Sequence, residues 1–251
     1  MLLRRITEHV KAQNWFAVGL DFLIVVVGVF IGLQVQNWSE ARNSRDLERH
    51  YLSRLLTDMD NSIVRTERML RFVEYNQANA WIVHQSLTSC TMPEDKQDRF
   101  ADGLYQLGRF LPVFYDLGTV NEMQSAGTFS IIRNPDLRAR LTRLVGDANQ
   151  YTEILTPIAT RNSLLLVQFD RYLTVNREHF KPNSGSITMD EAGIDFQAMC
   201  ENRELLPVLS TIRSTNQFHI DRYGIALEAV RETRAALRAE LGLAPDAVSV
   251  E

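Results

Sequence analysis

The sequence lacks most of what marks a known chemistry. It contains no phosphate-cradling glycine loop, no HExxH and no GxSxG, so the common nucleotide, zinc-hydrolase and serine-hydrolase signatures are all missing. Only two cysteines occur, Cys90 and Cys200, too few for a disulfide scaffold and not spaced as a CxxC metal or redox pair. No basic block is present either: the formal net charge is −4, with Arg and Glu mixed along the whole chain, which gives no electrostatic footprint for nucleic acid. No stretch alternates apolar and polar residues between turn signals, so no sheet is expected.

What is there begins with a long apolar run. From Trp15 to Trp38 the chain is long enough, at about 1.5 Å per residue, to cross a hydrocarbon core of roughly 30 Å with an aromatic residue at each interface. The run has no small-residue cleavage site just after it, which reads as an uncleaved anchor in the lipid bilayer rather than a signal peptide. Asp21 is its one charge. It reads either as an interfacial acid reaching toward headgroups or as a protonated or partner-bound carboxyl that contacts a second transmembrane helix. Gly28 and Gly32 form a GxxxG, a spacing that bares one helix face and permits self-association. Residues 1–14 place Leu3, Ile6 and Val10 on one face, as a short interfacial helix would.

Lys and Arg near the two ends of the span do not decide its orientation, since Arg4, Arg5 and Lys11 on one side face Arg42, Arg45, Arg49 and Arg54 on the other. The cysteines supply an argument. Beyond the span, residues 39–241 read as four long helices. The first is marked by Leu52, Leu56, Met59, Ile63, Thr66, Leu70, Val73, Gln77, Ala80, His84 and Leu87. A second runs from Phe100 through an interruption at Pro112 to Gly127. A third starts at Asn134-Pro135-Asp136, bends at Pro157 and extends to about His179. The last begins after Pro207 or slightly before it. Joined in order they form an all-α, up-down four-helix-bundle-like domain that continues directly from the transmembrane helix, followed by a disordered tail, 242–251. In that topology Cys90 and Cys200 both lie at the end of the bundle far from the membrane, where they read as a possible disulfide or as two unrelated thiols. A bridge between them requires an oxidising compartment, which places the bundle in the periplasm and the N-terminus in the cytoplasm of a bacterial cell.

Two stretches, "LDFLIVVVGVFIGLQVQNWSE" and "TVNEMQSAGTFSIIRNPDLRARL", together resemble a family of bacterial single-pass membrane proteins described as a domain of unknown function, with one N-terminal transmembrane helix and a helical remainder. The residues that carry the resemblance are Asp21, Gln34, Asn37 and Trp38, then Ser125, Gly127, Ile131, Ile132, Leu137 and Arg138. Ser39 stands where the family usually has Asn. The resemblance implies a single-pass membrane location and no activity.

The remaining candidates are polar residues on helical seams. Gln77, Gln168 and Asn216 fall at similar depths on three helices, with His219 one turn on from Asn216. They read as a register-fixing polar layer or as the lining of a small pocket. The five histidines show no spacing that puts two ligands on one helical face, and Asp58, Asp60 and Glu67 are interleaved with arginines as a solvated ionic face is, so no metal and no cofactor is expected. The sequence therefore reads as a non-enzymatic membrane-anchored interaction or scaffold protein that self-associates or docks on another transmembrane protein. The alternatives are a periplasmic small-molecule sensor signalling through a transmembrane partner and an enzyme with an unfamiliar site.

Overall fold

The computed structural model describes residues 15–109, 115–175 and 185–244. Segment 1–14, Pro112, His179 and the end of the tail lie outside the described residues, as does the side chain of Asp21. The chain divides into two compact units, Met1–Tyr51 and Leu52–Glu251.

The first unit belongs to helix α1, Trp15–Ser89. From Leu20 to Trp38 its large apolar side chains are exposed on every side, Phe22 at 71% and Trp38 at 65% among them. This N-terminal helix is long and apolar enough to cross a membrane. Arg42 lies 5.7 Å over the Trp38 ring, a cation at the face of the aromatic that closes the apolar run.

The second unit is all-α apart from one small ribbon. After α1 come α2 (Gln97–Tyr105), α3 (Gly118–Ser125), α4 (Pro135–Asp170), strands β1 (Leu173–Val175) and β2 (Ala192–Ile194), α5 (Phe196–Glu201) and α6 (Leu205–Glu240). The second leg of the expected bundle is not one long helix. It is α2 and α3, which together run back along α1: Asp102 of α2 accepts from Asn79 Nδ2 at 3.2 Å, Asp116 N–H donates to Ser62 Oγ at 2.8 Å, and Thr119 N–H donates to Asp58 Oδ2 at 2.9 Å. The up-down order survives in pieces.

α4 and α6 are antiparallel. Asn134 meets Glu240, Arg140 meets Glu232, and Tyr151 meets His219, so rising numbers on one helix pair with falling numbers on the other. α1 and α6 are antiparallel by the same test, through Asp60 with Arg234, Glu67 with Arg231 and Gln77 with the Arg213 carbonyl. Asp58, Asp60 and Glu67 are thereby accounted for: Asp58 accepts from the Thr119 amide in the first turn of α3, and Asp60 and Glu67 hold arginines of α6.

Helix ends follow local chemistry. Asn134 Oδ1 accepts from the amides of Asp136 and Leu137 at 3.0 and 3.1 Å, with Pro135 opening the helix where no amide partner is needed. After α3, Gly127 takes φ +68° and two bonds close the turn, Thr128 N–H to Met123 O and Gly127 N–H to Gln124 O.

Two expectations are corrected. α4 runs through Pro157 but ends at Asp170, well short of His179, because the chain turns there into β1. β1 pairs antiparallel with β2 in the register Leu173 to Ile194, Thr174 to Gly193 and Val175 to Ala192, so a sheet exists where none was expected. Three-residue strands are too short to display a period-two pattern.

One core cluster of this unit lies toward the Cys90 end, where Ala80, Val83 and Leu87 of α1 pack with Phe100 and Leu104 of α2, Phe169 of α4, and Leu205, Leu209 and Ile212 of α6, and buried Leu55, Met59, Met123, Leu141, Tyr223 and Val230 extend the core toward the other end. α2 packs tightly against α1 at Gly103, where an added Cβ would lie 2.8 Å from the Asn79 carbonyl carbon and oxygen.

Candidate functional site

The disulfide is the most defined of the expected features. Cys90 and Cys200 are bonded, with their Cα atoms 5.5 Å apart and 110 residues between them in sequence. Cys90 follows the last residue of α1 and takes φ +53°, a left-handed conformation that helices normally give to glycine as they stop. Thr91 N–H bonds to Ser86 O across it, the same closure seen after α3.

The expected polar layer forms only in part. Gln77 Nε2 donates to Arg213 O at 3.2 Å, one turn before Asn216, so these two residues share a level. Asn216 is 1% exposed, and its Oδ1 has no hydrogen-bond partner among the described residues. His219 is fully buried, its Nδ1 is 2.8 Å from the Tyr151 hydroxyl, and the two rings meet edge to face. Burial lowers the His219 pKa to about 4, so the ring is neutral at pH 7. Burial also raises the Tyr151 pKa. Both groups thus act as a neutral hydrogen-bonded pair across the α4–α6 seam.

Gln168 does not join them. Tyr151 is level with His219, whereas Gln168 falls in the last turn of α4 beside Phe169, which packs near Leu205 and Leu209. Buried polar residues that the sequence reading did not single out include Asn76 and Asn162. Asn76 is 4% exposed and donates to Arg109 O at 3.4 Å, while its Oδ1 lacks a partner among the described residues. Asn162 is 2% exposed and lacks one at both amide atoms. An isolated Asn in a helical stretch gives no signal in sequence, because its burial depends on which face the neighbouring helices cover.

Asn162 lines an open cavity of about 790 Å³ between α1, the segment leaving α2, and α4. Its apolar wall comes from Phe72, Leu155, Ala159 and Leu166, with Gln106 and Arg109 on the polar side. Gln106 Nε2 donates to Gly185 O, and Arg109 donates to Gln106 Oε1 at 3.3 Å while lying 4.3 Å over the Tyr105 ring. None of Gln77, Gln168, Asn216 or His219 lines this cavity.

In the first unit, Gly28 and Gly32 leave open space, since a Cβ added at either would meet nothing within 4 Å. Among the described residues no three His, Cys, Asp or Glu side chains gather as a metal site would require. The features brought together are a disulfide and a neutral His–Tyr pair. The chain matches no protein-family model, no curated protein and no solved structure.

Proposed function

We propose that this chain is a single-pass protein of the bacterial inner membrane, N-terminus in the cytoplasm, whose helical domain acts in the periplasm as a non-enzymatic interaction module. The observation that carries this reading is the sleeve of apolar side chains exposed all around α1 from Leu20 to Trp38, a surface that water disfavours and a bilayer accommodates. Its resemblance to single-pass proteins points the same way. The Cys90–Cys200 bond supports the compartment, because such bonds persist where thiols are not kept reduced. The open face at Gly28 and Gly32 supports lateral contact with a second copy or another membrane helix, with Asp21 at the edge of the span available to the same partner.

Alkaline carbonate washing of membranes tests the anchor. The protein is expected to stay with the membranes and to leave them only in detergent, and recovery in the soluble wash would end the proposal. Crosslinking in the bilayer tests the contact: Gly28→Leu with Gly32→Leu is expected to abolish the crosslinked species while the protein stays membrane-bound.

A further inference from the structure

We propose that Trp38, Arg42 and Arg45, on one face of α1 where its apolar sleeve ends, form a binding surface for the phosphate of an anionic phospholipid in the leaflet at the Trp38 end of the span. The inference deepens the anchored-protein reading and rests on it.

Spacing sets the face. Residues three and four apart on a helix are neighbours, so Arg42 follows Trp38 and Arg45 follows Arg42 along one side of α1. Trp38 is 65% exposed, and both arginines are exposed as well. At about 1.5 Å per residue, Arg42 lies roughly 6 Å and Arg45 roughly 10 Å beyond Trp38 along the helix axis. The interfacial layer on each side of the hydrocarbon is roughly 5–7 Å deep and tryptophan favours its inner boundary, so Arg42 falls among the headgroups.

Direction brings the arginines back toward the span. Cα–Cβ bonds on a helix tilt toward its N-terminus, which for these residues of α1 is the side of the apolar run. Arg42 shows that direction, with its guanidinium carbon 5.7 Å over the ring of Trp38, four residues before it. The same tilt lets Arg45 reach the layer by snorkelling, as long cationic side chains at the ends of spans do.

The acids of this stretch leave the face cationic. Glu40 is two residues from both Trp38 and Arg42 and therefore points elsewhere, where it accepts from Gln36 Nε2 at 2.9 Å. Asp46 stands one turn beyond Arg42, away from the span, and among the described residues neither arginine forms an ion pair. Two guanidinium groups are thus available at the depth of the phosphates, each a rigid fork of N–H donors that matches phosphate oxygens. A zwitterionic headgroup would bring its own cation beside them, whereas an anionic one brings only negative charge. That difference selects the anionic lipid.

The experiment uses the full chain reconstituted into phosphatidylcholine vesicles and floated with them, with traces of spin-labelled phosphatidylglycerol or spin-labelled phosphatidylcholine as the probe. Electron paramagnetic resonance reads the fraction of each lipid held at the protein, and the ratio is the preference. A basic residue near a lipid surface is worth about fivefold in association before screening, so the parent is expected to prefer phosphatidylglycerol by about threefold or more. Arg42→Gln with Arg45→Gln is expected to lower that preference by about twofold or more, and added salt to lower it further in the parent than in this variant. Arg68→Gln with Arg71→Gln, which removes the same charge about 40 Å further along α1, is expected to leave it unchanged. An unchanged preference in the Arg42 and Arg45 variant, or an equal loss in the Arg68 and Arg71 variant, overturns the site and leaves the anchor standing. Protein that does not float with the vesicles overturns the anchor, and this site with it.

Discussion

The Tyr151 hydroxyl lies 2.8 Å from His219 Nδ1 in the seam between α4 and α6, and His219 is fully buried there. Holding that imidazole neutral makes the domain acid-sensitive in a defined window. The folded pKa of about 4 lies below the ordinary 6.5, so between these values the unfolded chain binds the extra proton and the folded one does not. The contribution is present in full above pH 6.5 and is lost as pH falls toward 4, up to about 3 kcal/mol in all. Chemical denaturation from pH 7 to pH 4 is expected to show this loss in the parent and a flatter profile in His219→Phe. An equal slope in both proteins would contradict it.

The left-handed conformation of Cys90 predicts an unusual order of stabilities. Removing a bridge that closes a loop of 110 residues costs about 5 kcal/mol in the chain-entropy account, so Cys90→Ala with Cys200→Ala should be much less stable than the oxidised parent. Replacing Cys90 by Gly in the same Cys200→Ala background should recover about 1 kcal/mol, because glycine adopts φ +53° without a Cβ clash. Urea unfolding of the three proteins checks the order. Equal stability of the Ala and Gly variants would show that the position carries no strain.

Gly103 sits where α2 crosses α1 with no room for a side chain. Gly103→Ala is expected to destabilise the domain by about 1–3 kcal/mol despite the better helix propensity of alanine, because the obstacle is the Asn79 backbone and cannot rotate away. Thermal melting checks the sign, and a rise in melting temperature would contradict the crossing.

Asn134 closes the first turn of α4 with two bonds to backbone amides. Asn134→Ala should cost about 1 kcal/mol and Asn134→Ser much less, since serine restores the acceptor. Denaturant midpoints of the two variants give the comparison directly.

The start of α4 and the end of α3 were legible because Asn-Pro-Asp and Gly act through local backbone chemistry. The buried face of α1 was legible only in outline. Leu52, Met59, Thr66, Val73, Ala80 and Leu87 are buried as their spacing suggests, but Ser62, Asn76 and Asn79 occupy inward positions that a search for apolar periodicity passes over, while Ile63 and Gln77 are only half-buried. Those polar residues face inward because α2 and α3 bring partners to them, Asp102 for Asn79 and the Asp116 amide for Ser62. Gln168 was misplaced for a related reason. A helix running to about His179 would hold it roughly three turns below the end, and with α4 ending at Asp170 it falls in the final turn. Asn162 was invisible because a cavity is a property of three segments together and not of one.

An anchored domain facing an oxidising compartment is the central proposal for this protein. Native membranes should be alkylated with a thiol reagent of measurable mass, with and without prior reduction, and the protein run on gels. The account predicts that the protein stays with the membrane fraction, that neither Cys90 nor Cys200 is modified until reductant is added, and that reduction changes the mobility of a single chain. Free labelling of both thiols without reductant would contradict it and would favour a domain on the cytoplasmic side.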